Sequence, residues 1–212
     1  RLETLEVSGS CCSSREVGGD YYDFLPLGKG RLGIAVGDVS GKGIFAGLLM
    51  AGLQGRLQSM APRYGEDLPA LFLELNRAMH ASTDPNRFAT LFYGVYEETS
   101  RRLTYVNAGH PAPLLLRRGG GPASGWNPPV ALPSTGTVVG LLPEARYEKR
   151  SLQLHAGDLL LAFSDGLVEA GGEEGPEFGP AALAACVSGL QEAGAAAIRG
   201  RILEEERRLR SN

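Results

Sequence analysis

Gly37-Asp38-Val39-Ser40-Gly41-Lys42-Gly43 is the stretch whose reading decides the fold. Before it, Leu32-Gly33-Ile34-Ala35-Val36 reads as a buried strand, part of a run from Arg31 to Val36. After it the period changes: Phe45, Leu48, Leu49, Gly52, Leu53, Leu57 and Met60 fall on one helical face. A strand therefore passes into a helix through a glycine turn that opens with a carboxylate. Two other aspartates sit in the same kind of setting. Asp20 lies in Gly18-Gly19-Asp20-Tyr21-Tyr22-Asp23, and Asp165 lies in Ser164-Asp165-Gly166, directly after the apolar run Leu159-Leu160-Leu161-Ala162-Phe163. A carboxylate at the end of a buried strand costs free energy unless it is solvated, hydrogen-bonded or paired with a cation. Three such carboxylates converging call for a metal.

Outward from this stretch the chain alternates between strand and helix signals. Leu2 to Ser8 reads as a first strand. Tyr21 to Leu27 pairs with Arg31 to Val36 through Gly28-Lys29-Gly30. The helix after Gly43 is expected to end at Pro62. A second helix carries Leu68, Leu71, Phe72, Leu75 and Met79, and closes near Asp84-Pro85-Asn86. Strands return at Phe88 to Tyr96, Leu103 to Val106 and Pro113 to Leu116. Residues 118–137 read as a loop with one short strand. Tyr147 to Leu154 alternates, and Gly157-Asp158 turns into the strand that ends at Asp165. From Pro180 the chain is helical, with one stripe at Leu183, Val187 and Leu190 and a poorer one at Ile198, Ile202 and Leu209. Glu204 with Arg208 and Glu206 with Arg210 read as i,i+4 pairs on a solvated surface. This order is not the strict alternation of a parallel doubly wound sheet. It predicts an α+β fold in which antiparallel sheets carry helices outside.

Bulk properties narrow the function. A chain of 212 residues is read as one domain with a sizeable core. Its 43% hydrophobic and 21% charged content fit a soluble globular protein. No apolar run approaches the roughly 20 residues of a membrane span. A net charge of -3 argues against a nucleic-acid interface. The three cysteines, Cys11, Cys12 and Cys186, lack zinc-type spacing and read as buried free thiols in a reducing cytoplasm. Arg1 is not a natural start, so the sequence is expected to be the C-terminal part of a larger protein.

Carboxylates and water suit hard ions such as Mg²⁺ and Mn²⁺. Two such ions about 3.5–4 Å apart can share a carboxylate and activate a water as nucleophile, so no serine or cysteine nucleophile is needed. Each Asp-Gly turn taken alone reads as an ordinary turn, because Asp hydrogen-bonds its own backbone there. Asp23 is given no ligand role. A Walker A loop is rejected, because only three residues separate Gly37 from Gly41 and Gly43 follows Lys42. His110 reads as a turn-shaping residue and Lys42 as solvated. Trp126 fits loop packing and partner contact equally.

The motifs together are specific. Val17-Gly18-Gly19-Asp20-Tyr21-Tyr22-Asp23-Phe24 and the Gly37–Gly43 stretch resemble the metal-dependent (PPM, protein phosphatase 2C-like) serine/threonine phosphatases, and more narrowly their bacterial SpoIIE/RsbU branch. Phe88-Ala89-Thr90-Leu91-Phe92-Tyr93-Gly94, Asn107-Ala108-Gly109-His110-Pro111 and Ser164-Asp165-Gly166-Leu167-Val168-Glu169-Ala170 match that branch in the same order. The resemblance runs from about residue 5 to about residue 180.

It implies a four-layer αββα sandwich with two Mn²⁺ or Mg²⁺ ions in a cleft at one end of the sheets. Asp20 would be a ligand on the first-ion side or hold metal-bound water. Asp38 would bridge the ions, the Val39 carbonyl would be a backbone ligand, and Asp165 would bind the second ion. The nucleophile would be metal-bound water, with no catalytic side chain. The implied substrate is phosphoserine or phosphothreonine on a STAS-domain anti-anti-sigma protein. The implied setting is a cytoplasmic bacterial signalling protein with N-terminal sensor or regulatory domains. Homodimer formation is left open, and no membrane or nucleic-acid contact is expected. The helices at 44–61 and 67–82 match a pair that, in relatives, shifts to complete or dismantle the metal site. The family pattern ends in an Asp-Asp-containing strand, whereas no aspartate follows Asp165 here, so the set stands one carboxylate short of the pattern. The rival readings are a phosphatase-like domain that binds a partner without turnover and a structural domain with solvated turn aspartates.

Overall fold

The computed structural model describes residues 2–11, 18–84, 86–119, 125–171 and 178–211. The strands are β1 Tyr21–Gly28, β2 Arg31–Val39, β3 Ala89–Glu97, β4 Arg102–Ala108, β5 Leu114–Leu116, β6 Val130–Ala131, β7 Arg150–Gln153 and β8 Leu159–Leu161. The helices are α1 Ile44–Tyr64, α2 Leu68–Ser82, α3 Asp165–Val168, α4 Pro180–Cys186 and α5 Ala195–Arg210. They form two compact units: Ser10–His110 with Pro133–Leu154, and Arg1–Gly9 with Pro111–Leu132 and His155–Asn212. Each unit has its own antiparallel sheet and its own helices, so the expected α+β class is borne out.

The first unit has a five-stranded sheet in the order β1-β2-β3-β4-β7. The β1–β2 hairpin turns through Gly28, Lys29 and Gly30, all with positive φ. Two glycines supply that conformation without a Cβ penalty. Helices α1 and α2 fill the connection between β2 and β3 and bury one face of the sheet. On α2 the spacing reads true, since Leu68, Leu71, Phe72, Leu75 and Met79 are all buried. Asp67 caps it by accepting from the Ala70 N–H, and a proline follows in the first turn.

Helix α1 departs from the expectation at both ends. Its core face is Ala46, Met50, Leu53, Leu57 and Ala61, while Ile44, Phe45 and Leu48 are exposed. The small alanines let the helix lie close to the sheet, which turns its larger first-turn side chains outward. Pro62 does not end it. The helix runs to Tyr64, with Pro62 in its last turn, and stops at Gly65, whose N–H bonds the Ala61 carbonyl at a φ of 55°.

The second unit has the sheet β6-β5-β8. Its core gathers Leu114, Leu116, Phe163, Phe178, Leu183, Val187 and Ile198, with Leu190, Ile202 and Leu209 partly buried against it. Trp126 packs on this cluster and donates its indole N–H to the Val187 carbonyl at 3.2 Å, so its role is loop packing. Residues 2–8 are not a strand. Helix α5 begins at Gly194 without a side-chain cap of its own. The Glu6 carboxylate accepts from the Ala195 N–H at 3.0 Å and takes that place, while Arg199 holds the Gly9 carbonyl at 2.8 Å. The expected surface ion pairs are also revised. Arg208 pairs with Glu205 rather than Glu204, and Glu206, paired with Arg210, is only 8% exposed.

Of the cysteines, Cys11 is exposed and Cys186 partly buried, so the expected burial fails at Cys11. Cys12, the Val17 that opens the first motif, and Pro85 lie outside the described residues. Among the described residues no helix is long and apolar enough to cross a membrane.

Candidate metal centre

Strand β2 brings Asp38 and Val39 to the end of the five-stranded sheet, opposite Thr90 and Ala89 of β3. The Ala89 N–H bonds the Val139 carbonyl, and the Ser40 N–H bonds the Phe88 carbonyl. Val39 and Ala89 thus form the non-hydrogen-bonded type of antiparallel pair, and Val39 turns its N–H and C=O away from β3. They face the segment ahead of β1, where the Val39 N–H donates to the Gly19 carbonyl at 3.3 Å.

Gly19 is the close-approach residue of this site. A Cβ there would lie 2.7 Å from Asp38 Oδ1 and 2.7 Å from the Val39 carbonyl oxygen. No real side chain tolerates such contacts, so only glycine lets the Asp20 segment lie against Asp38 and Val39. The next residue, Asp20, has a buried Oδ1 with no hydrogen-bond partner. A buried carboxylate oxygen left this way costs stability unless a cation takes it.

The first unit therefore sets the chain that carries Asp20, through its neighbour Gly19, against Asp38 and the Val39 carbonyl. All three are hard oxygen donors, which suits Mg²⁺ or Mn²⁺. Among the described residues no three His, Cys, Asp or Glu side chains gather into a ready-made metal cluster. Two carboxylates and one carbonyl are what this end of the sheet supplies.

Asp165 belongs to the other unit. It does not end a strand: β8 stops at Leu161, and Ala162-Phe163-Ser164 intervene. Asp165 opens the four-residue helix α3, where it is exposed. That helix is tied to α5, since Arg210 donates to the Gly166 carbonyl at 3.3 Å.

Other residues singled out from the sequence have structural roles. The Asp23 carboxylate accepts from the Tyr21 hydroxyl, the Gln58 amide and the Phe24 N–H, each at 2.8 Å, and so pins β1 to α1. Burial, reinforced by this carboxylate, pushes the Tyr21 hydroxyl well above the ordinary range and keeps it a donor. His110 shapes its turn as expected: its N–H donates to Asn107 Oδ1 at 2.9 Å, and Asn107 Nδ2 returns a bond to the His110 carbonyl at 3.1 Å. Gly109, with a φ of 69°, takes the left-handed conformation this turn requires. Lys42 is exposed, as expected.

Sequence reasoning missed the parts that hold the site. Thr90 Oγ1 sits between the Asp38 carbonyl at 3.4 Å and His110 Nδ1 at 2.9 Å, tying two motifs together. Thr90 lies within a quoted motif, but only the β2–β3 register shows that it faces Asp38. Gly19 stood in the first motif as one glycine among many, and nothing in its spacing marked it as the one pressed against Asp38.

The family model described as Stage II sporulation protein E (SpoIIE) matches residues 28–212. The chain is similar to phosphoserine phosphatase RsbU of Bacillus subtilis, 30% identical over 173 residues, covering 82% of this chain and 49% of RsbU. It is also similar to phosphoserine phosphatase RsbP of the same bacterium, 27% identical over 171 residues, covering 79% of this chain and 40% of RsbP. The chain thus spans half or less of the length of these curated relatives. Among solved structures, the RsbU and RsbW domains of a Mycobacterium tuberculosis protein match with a TM-score of 0.69 and 28% identity, over 92% of this chain and 51% of that one. The PP2C phosphatase domain of Bacillus subtilis SpoIIE matches with a TM-score of 0.72 and 23% identity, over 92% of this chain and 55% of that one. The fold is the PP2C phosphatase fold, and the chain belongs to the SpoIIE family.

Proposed function

We propose that the chain is a metal-dependent protein serine/threonine phosphatase domain of the SpoIIE/RsbU type. The observation that supports this reading is the close approach of Gly19 to Asp38 and the Val39 carbonyl, with a buried, unpartnered Asp20 Oδ1 next in the chain. Hard oxygen donors at the end of a rigid sheet suit a divalent ion, and the family supplies the reaction class. Two ions, Mn²⁺ or Mg²⁺, would supply an activated water and offset the charge that builds on the phosphoryl group. The chain's own residues hold and orient. Asp38 would bridge the ions, Asp20 would serve the first-ion side directly or through water, and the Val39 carbonyl would complete that side. Asp165 is assigned to the second ion on its motif match. No side chain is assigned as the nucleophile.

The proposed substrate is a phosphoserine or phosphothreonine on a STAS-domain anti-anti-sigma factor. We read residues 1–212 as one phosphatase domain of a larger cytoplasmic signalling protein with N-terminal regulatory domains. The names of the relatives and their greater length support that reading.

The test is hydrolysis of a phosphoserine STAS protein with Mn²⁺ titrated in. Turnover that requires Mn²⁺ and disappears in Asp38→Ala supports the enzyme. Tight binding of the phosphoprotein with no turnover at any Mn²⁺ concentration replaces it with a binding module.

A further inference from the structure

Arg87 stands just ahead of β3, the strand that pairs with Asp38 and Val39 of the candidate metal centre. Its guanidinium lies across the turn that leaves them. Nη1 donates to the Ser40 carbonyl at 3.3 Å, and Cζ stands 5.2 Å from the centroid of the Phe45 ring in the first turn of α1. Gly41, at a φ of 109°, makes room for it, because a Cβ there would lie 2.6 Å from Arg87 Nη1. The neighbouring Phe88 completes the grip. The Ser40 N–H donates to the Phe88 carbonyl at 2.9 Å, and Ser40 Oγ accepts from the Phe88 N–H at 3.1 Å. All three polar groups of Ser40 are therefore held by two adjacent residues.

This grip bears on the metal centre through one peptide plane. The Val39 carbonyl and the Ser40 N–H belong to the same trans unit and point in opposite directions. Fixing the Ser40 N–H on β3 aims the Val39 carbonyl at the Gly19–Asp20 side. The Phe88 backbone sets that direction, and the Arg87 guanidinium prevents the following peptide from rotating away. Stacking on Phe45 keeps the guanidinium in place and joins the turn to α1.

We propose that Arg87 is a positioning residue that holds the Val39 carbonyl in its metal-binding orientation and so sets metal affinity. The proposal rests on the metal-centre reading above. It assigns Arg87 to the turn and not to the substrate phosphate. Residues that orient ligands from behind in this way typically change metal affinity by about 10–100-fold when removed.

The experiment is titration of Mn²⁺ alone into the chain, with free Mn²⁺ read by electron paramagnetic resonance and folding checked by circular dichroism melting. Arg87→Ala is expected to weaken Mn²⁺ binding about tenfold or more. Arg87→Lys is expected to fall between it and the parent, because an ammonium keeps the charge but lacks the planar fork that bonds and stacks together. Phe45→Leu, at an exposed position that does not endanger folding, is expected to weaken binding about two- to fivefold through loss of the stacking. Unchanged Mn²⁺ affinity in a folded Arg87→Ala overturns the proposal, and a fall in hydrolysis alone would move Arg87 to the phosphate. If Arg87→Ala does not fold, unchanged affinity in Phe45→Leu overturns it instead. A parent chain that binds no Mn²⁺ removes the metal-centre reading, and the proposal with it.

Discussion

The glycine turns around Asp38 and Asp165 read alike in sequence and are held very differently. Asp38 lies inside β2, paired with Thr90 across the sheet and pressed from the other side by Gly19. Asp165 lies beyond its strand, exposed, on a helix of four residues. The first carboxylate is set by a sheet register that cannot slip by one residue without turning every side chain to the other face. The second is set by local turn geometry, by the Phe178 N–H on the Val168 carbonyl and by Arg210 on the Gly166 carbonyl. The same run of residue types therefore marks a sheet-held carboxylate in one place and an exposed, turn-held one in the other.

Substitutions can break or sharpen this contrast. The largest effect is expected from Asp38→Ala, which should reduce Mn²⁺-dependent phosphatase activity to the level of the protein without metal. If Asp165 holds a second ion as proposed, Asp165→Ala should instead leave one ion bound and lose the other, which Mn²⁺ stoichiometry reads directly. Equal losses from the two variants would erase the contrast.

The glycines beside the aspartates sharpen it further. Gly19→Ala places a Cβ 2.7 Å from both Asp38 Oδ1 and the Val39 carbonyl. The strain should cost about 1–3 kcal/mol of stability in denaturant unfolding. Gly166→Ala meets nothing closer than Ser164 Oγ at 3.9 Å, and its cost should stay within about 0.5 kcal/mol.

The helices of the first unit offer a parallel contrast. Leu75→Ala in the buried stripe of α2 should cost about 2–5 kcal/mol. Leu48→Ala, 67% exposed on α1, should change stability by about 0.5 kcal/mol or less. A large effect at Leu48 would mean that its face is covered in solution.

These contrasts also show what was legible in the sequence. The α2 stripe could be read because Leu68, Leu71, Phe72, Leu75 and Met79 bury one regular face. The α1 stripe misled because its core contacts include Ala46 and Ala61, whose size gives little periodic signal, while larger neighbours face outward. Residues 2–8 alternate like a strand, yet they are held at the start of α5 by Glu6, a contact 189 positions away in sequence. Asp38 stood out because an acidic residue where an apolar strand meets a glycine turn is chemically unusual, whereas the proposed metal roles of Asp20, Asp38 and Asp165 come from the motif match. Their supports were not legible, because Gly19, Thr90 and Arg87 act through register and through contacts distant in sequence, and no local pattern encodes those.

The most direct test of the account is calorimetric titration of Mn²⁺ into the chain and into Asp20→Asn. The account predicts saturable binding by the parent and a clear loss of affinity in the variant, with the melting temperature in the absence of metal unchanged or raised, because a carboxylate with one buried, unpartnered oxygen has lost its charge. Equal Mn²⁺ binding by the two proteins, or none by the parent, would contradict it.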